Sequence, residues 1–177
     1  MTDETSTGKA AQAPALKRPR RESMSRVDTA WLRMERPTNP MMITGVLMFD
    51  ESISLAKLKK VVEKRFLDYS RFRMKPVETP GGMAWQTDED FDIDWHVRLS
   101  GLPGKTGRTP EKHALERFVS QLASSPLDPS KPLWQFHLVE HYTSPDGLRG
   151  SAMILRIHHC IADGIALLGV IMSILDT

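Results

Sequence analysis

The sequence predicts an α/β domain, with a mixed β-sheet flanked by helices. Three observations lead to that class. Ser54–Tyr69 and Pro110–Ala123 carry apolar residues at helical spacing. Segments such as Trp134–Glu140 carry them at every second position, the period of a strand. Ser151–Ile157 is apolar almost throughout, apart from its arginine, as expected of a strand that is covered on both faces.

The elements follow in order. Met1–Glu22 holds small and polar residues, two prolines and the basic cluster Lys17, Arg18, Arg20 and Arg21, and reads as a disordered tail. Order is expected from Ser25, because Ser25-Arg-Val-Asp28 has the spacing of a capping box, with aspartate in the place usually held by glutamate. A short helix through Trp31, Leu32 and Met34 should follow and end before Pro37 and Pro40. Met41–Phe49 reads as a strand. Ser54 is a suitable N-cap for a helix whose stripe is Leu55, Leu58, Val62, Phe66 and Tyr69. Arg71–Val77 and Met83–Gln86 read as paired strands joined through the turn Glu78-Thr-Pro-Gly-Gly82. Phe91–Leu99 alternates and is expected to be a half-buried strand. The helix Pro110–Ala123 should turn Leu115, Phe118, Val119 and Leu122 inward. Trp134–Glu140 is the next strand, Ser144-Pro-Asp-Gly147 a turn, Ser151–Ile157 the last strand and Ile165–Leu175 an apolar helix.

Composition bounds the function. The 177 residues, 40% of them hydrophobic, suffice for one domain with a real core. A net charge of +2 implies no strongly charged partner. The basic cluster has no interleaved aromatics, so no base-stacking platform and no nucleic-acid partner is expected. Its sharper reading is a tether to anionic lipid. Cys160 is the single cysteine, which excludes an intrachain disulfide and suits a reducing, cytoplasmic setting. Met1–Ala15 lacks the apolar run of a signal peptide. Gly164–Leu175 is shorter than the ~20 residues a spanning helix needs, which leaves a soluble or peripheral protein at an inner membrane or lipid inclusion.

Between the last strand and the last helix lies His158-His-Cys-Ile-Ala-Asp-Gly164. Strand alternation puts His159 in line with Met153, Leu155 and Ile157, and puts His158 beside the charge of Arg156. An imidazole titrates near neutral pH, so His159 can take the proton of an alcohol as it becomes a nucleophile. His158 is then a supporting residue. Asp163, where the helix begins, suits a structural role that orients the loop, and Gly164 suits a tight backbone path. Cys160 points away from His159 and reads as a small buried filler rather than a nucleophile. Adjacent histidines on opposite faces make poor co-ligands, so no metal site is expected. Trp31, Trp95 and Trp134 are divided between core packing and lining of a channel.

The string resembles the HHxxxDG motif of the coenzyme A-dependent acyltransferase superfamily, which includes chloramphenicol acetyltransferase and the condensation domains of peptide synthetases. Ser25-x-x-Asp28-x-x-Trp31-Leu32 followed by Glu35 and Pro40-Met41 is similar to the amino-terminal signature of bacterial wax ester synthase/acyl-CoA:diacylglycerol acyltransferases. Pro126-Leu-Asp128 and Lys131-Pro-Leu-Trp134 are similar to a later segment of that family. The resemblance covers most of Ser23–Thr177.

It implies a chloramphenicol acetyltransferase-like half-domain over residues 23–177. The activity implied is fatty acyl transfer from acyl-CoA, a co-substrate rather than a bound cofactor, to a long-chain alcohol or diacylglycerol. His159 would be the general base, and the product a wax ester or triacylglycerol. It also implies a carboxy-terminal half as partner, since family members have two half-domains with the reaction channel between them. No residues are assigned to coenzyme A. The rival expectations are a condensation-type or polyketide-associated acyltransferase and a non-catalytic half-domain that binds lipid or a partner chain.

Overall fold

The computed structural model describes residues 20–102, 111–161, 167 and 169–172. The element order is β1 (Arg21–Ser23), α1 (Arg26–Met34), β2 (Met42–Phe49), α2 (Leu55–Val61), β3 (Met74–Thr79), β4 (Gly82–Thr87), α3 (Ile93–His96), β5 (Val97–Leu99), α4 (Glu111–Ala123), β6 (Trp134–Thr143) and β7 (Arg149–His158). The main sheet has the order β2-β7-β6-β5, and a smaller sheet has the order β1-β4-β3. Within the main sheet β2, β7 and β6 are antiparallel neighbours, while β5 runs parallel to β6. The expected mixed α/β architecture is therefore present.

The local signals act as physical chemistry requires. Ser25 caps α1, its hydroxyl accepting the Asp28 N–H at 3.0 Å. Ser54 caps α2 in the same way through Lys57 N–H. Gly147 closes the β6–β7 turn at φ 85°, a conformation costly for any residue with a Cβ.

The main sheet is covered on both faces, which explains the near-continuous apolar run of β7. On one face Met153, Leu155 and Ile157 join Phe136, Leu138 and Trp134 and the buried face of α2. Phe66 anchors this cluster, with ring centroids 3.7 Å from Phe72, 4.8 Å from Trp134 and 5.0 Å from Phe136. On the other face Ala152, Ile154 and Val139 pack under Leu115 and Leu122 of α4.

Four boundaries differ from the sequence reading. Arg21–Ser23 pairs with β4, so order begins ahead of Ser25 and includes part of the expected tail. The helix after Ser54 passes into a wider π turn at Val62–Phe66 and ends there, which leaves Tyr69 47% exposed and off the buried stripe. Ser70–Arg73 is a 3₁₀ turn, and the strand expected from Arg71 starts at Met74. Phe91–Leu99 is not a single strand: Asp92 caps the short helix α3 by accepting the Asp94 N–H at 2.8 Å, and only Val97–Leu99 pairs with β6. The competing signal was the side-chain cap, which outweighed the alternation. Among the described residues no helix is long and apolar enough to cross a membrane.

Candidate active site

Three elements converge at one end of the main sheet. Here β7 ends at His158, which lies opposite Met42, the first residue of β2. The C-terminal end of α1 approaches the same place. The other end of α1, its first turn, is held by Arg71, whose guanidinium stands 3.6 Å from Glu22 and 3.7 Å from Asp28 and lies over the Trp85 ring at 4.5 Å. One cation thereby ties α1 to β1 and β4 of the small sheet.

His158 is buried, with 4% exposure. Its Nδ1 accepts the Cys160 N–H at 3.0 Å, and its backbone N–H donates to the Leu133 carbonyl at 3.0 Å. The Nε2 atom faces Glu35 Oε2 at 3.4 Å, a contact longer than an ordinary hydrogen bond, and has no closer partner. Burial lowers its pKa, against the opposing pull of the Glu35 carboxylate. The charge beside His158 is thus Glu35, not Arg156 as the sequence reading had it. The Arg156 guanidinium turns instead to Gln135 Oε1 at 3.1 Å and to Ser125 Oγ at 3.2 Å.

His159 lies just past the strand. Its N–H donates to the Met41 carbonyl at 2.9 Å, which carries the β2–β7 ladder one step further. Its ring stacks on Trp31, with centroids 4.7 Å apart and planes 20° from parallel. His159 is half-buried, whereas His158 and Cys160 on either side are buried. Of these three residues His159 alone is not fully buried, and its backbone is held in place by Met41. Cys160 is fully buried, and burial pushes its thiol far above the range of a reactive thiolate.

The tryptophans divide as follows. Trp31 packs on His159, Trp134 is fully buried in the core with its indole N–H donating to the Phe72 carbonyl at 2.8 Å, and Trp95 is 37% exposed. Asp163 and Gly164 lie outside the described residues. Glu35 is the residue that reasoning from local pattern missed. It follows the last helical residue of α1, and its carboxylate accepts the Met41 N–H in addition to facing His158. Its place in the Glu35…Pro40-Met41 signature was the available signal. Among the described residues no group of three or more His, Cys, Asp or Glu side chains is placed to hold a metal ion.

The two histidines thus stand at the end of a mixed sheet covered on both faces, and known proteins share that fold. The starter condensation domain of the rhizomide synthetase RzmA superposes with a TM-score of 0.69 over 88% of this chain and 36% of its own, at 15% identity. The wax ester synthase/diacylglycerol acyltransferase of Marinobacter aquaeolei VT8 superposes with a TM-score of 0.64 over 83% of this chain and 35% of its own, at 24% identity. These likenesses establish the fold. In sequence, the Mycobacterium tuberculosis protein named as a probable diacylglycerol O-acyltransferase, tgs3, is 35% identical over 155 residues, 79% of this chain and 56% of its own length. Mb2306 of Mycobacterium bovis, also named for diacylglycerol O-acyltransferase activity, is 36% identical over 166 residues, 87% of this chain and 34% of its own. The chain thus spans between about a third and somewhat over half of these relatives. The model of the wax ester synthase/diacylglycerol acyltransferase catalytic domain matches residues 24–177. The chain belongs to the wax ester synthase/diacylglycerol acyltransferase catalytic domain family.

Proposed function

We propose that this chain supplies the general base of an O-acyltransferase that moves a fatty acyl group from acyl-CoA to a long-chain alcohol or a diacylglycerol. The carrying observation is the placement of His159: a half-buried residue whose ring stacks on Trp31, backbone bonded to Met41, buried residues on both sides. The His159 imidazole takes the hydroxyl proton as the alcohol oxygen attacks the thioester carbonyl. The new C–O bond gives a tetrahedral oxyanion. Its collapse breaks the C–S bond, and the proton leaves with the coenzyme A thiol. General-base assistance of this kind supplies roughly 10²–10⁴-fold.

Asp163 and Gly164 would shape the turn that leads away from His159. The further length present in the relatives would supply the opposite wall of the channel, because holding two substrates in register contributes roughly 7–11 kcal/mol, more than the base alone. A surface site at a membrane or lipid inclusion suits such substrates.

The test is release of free thiol from palmitoyl-CoA by the full natural protein, with hexadecanol or a diacylglycerol as acceptor and an amine of similar chain length as control. Ester formation with either alcohol supports the reading. Amide formation, or no transfer to any lipid alcohol, would move the assignment to a condensation-type or non-catalytic relative.

A further inference from the structure

The Glu35 carboxylate makes two contacts that meet on either side of His159. It accepts the N–H of Met41, whose carbonyl in turn accepts the N–H of His159 at 2.9 Å. It also faces His158 Nε2 at 3.4 Å, and His158 Nδ1 accepts the N–H of Cys160 at 3.0 Å. One carboxylate therefore faces the residue before His159 directly, and reaches the residue after it through His158 and the amide of His159 itself through Met41. The donor at Cys160 decides the chemistry of His158. A nitrogen that accepts a backbone N–H carries no proton, so the neutral ring must be protonated at Nε2, the atom that faces Glu35. In this form His158 holds no charge of its own beside the base.

We infer that Glu35 is a positioning residue: by holding Met41 and the Nε2–H form of His158 together, it sets the backbone and orientation of His159. The carboxylate is suited to this because one oxygen, Oε2, both accepts the Met41 N–H and sets negative charge 3.4 Å from His158 Nε2, whereas a neutral amide there could keep the first contact but not the charge. A displacement of the base by about 1 Å is enough to cost on the order of 10²-fold in rate. The kinetic part of this inference rests on the acyl-transfer reading above, and the spectroscopic part does not.

The experiment compares the full natural protein with its Glu35→Gln and Glu35→Ala variants, reading kcat and KM for palmitoyl-CoA and hexadecanol, the thermal melting curve, and the nitrogen-15 and side-chain proton NMR signals of His158. In the wild-type protein His158 must show the Nε2–H tautomer. Glu35→Gln should melt close to wild type, lose roughly tenfold to a hundredfold in kcat with KM little changed, and shift the His158 Nε2–H signal. Glu35→Ala should lose more in kcat. An Nδ1–H tautomer in the wild type would overturn the inference even if neither variant folds. So would a Glu35→Gln protein with wild-type kcat and an unmoved His158 signal, or a loss of rate that only follows a loss of folded protein. Should the wild type transfer no acyl group to any acceptor, the function proposed above fails, while the tautomer and the variant signals still decide whether Glu35 holds His158.

Discussion

The Trp31 indole lies flat against the His159 imidazole, 4.7 Å between centroids and 20° from parallel. Trp31 sits on α1 and His159 beyond the end of β7, so the stack joins two elements with no shared hydrogen-bond ladder. Its effect is on orientation. An imidazole free to turn about χ1 and χ2 would spend part of its time away from a bound alcohol, and one aromatic face removes much of that freedom.

Replacing Trp31 with alanine should therefore cost catalysis more than folding. The stack is worth about 0.5–1.5 kcal/mol beyond the area it covers. Acyl transfer should fall by about tenfold or more, as expected when a reacting group loses its alignment. Trp31→Phe, which retains a ring, should recover most of the rate. Steady-state kinetics on both variants, with melting curves alongside, checks this. Equal rates for Trp31→Ala and wild type would show that the stack does not orient the base.

Acid should destabilise the fold through His137. It is buried at 6% exposure, and burial, followed by the charges of Arg156 and Arg98, lowers its pKa from 6.5 to about 4. The unfolded chain takes up a proton more readily than the folded one between these values. Stability is thus complete above about pH 6.5 and is lost as pH falls towards 4, by up to ~3 kcal/mol for this group. His96, held between Phe91 and Trp134 and lowered mainly by burial, acts with the same sign. Denaturant titrations at pH 7 and pH 5 should show the loss, and His137→Gln should flatten it. A stability independent of pH over that interval would contradict this account of the buried ring.

Gly150 of β7 lies close against the backbone at the end of β2. A Cβ built there would lie 1.8 Å from the Phe49 carbonyl oxygen and 2.9 Å from its carbon. Both are backbone atoms that no rotamer change can move. Gly150→Ala should push the strands apart and cost about 1–3 kcal/mol, seen as a lower denaturant midpoint. An unchanged midpoint would mean that the two strands part there without cost.

Much of this was legible in the residues, for reasons that differ by element. Ser25 and Ser54 announced their helices because an N-cap is a local hydrogen bond written in adjacent residues. β7 was legible because both faces are buried, so its composition alone marks it. The place of the histidine pair at the end of an apolar strand was legible from the composition of that strand. Other features depend on distant partners. β1 exists because Arg21–Ser23 finds the edge of β4, and its three residues contain no strand signal of their own. The π turn at Val62–Phe66 serves the Phe66 ring cluster rather than any helix propensity. Glu35 stood in the amino-terminal signature with no role attached, and only the fold brings it to Met41 and His158.

The central claim is that His159 is the base, and the most direct measurement is a single-turnover assay of acyl transfer from palmitoyl-CoA to hexadecanol or a diacylglycerol. Wild type, His159→Ala and His158→Ala would be compared in the full natural protein, each first shown to bind acyl-CoA and to melt cooperatively. The account predicts that His159→Ala binds acyl-CoA with near wild-type affinity and loses on the order of 10²–10⁴-fold in the transfer step. It predicts that His158→Ala, which removes a buried ring, loses melting temperature as well as rate. A His159→Ala protein that is folded, binds acyl-CoA and transfers the acyl group at the wild-type rate would contradict the account.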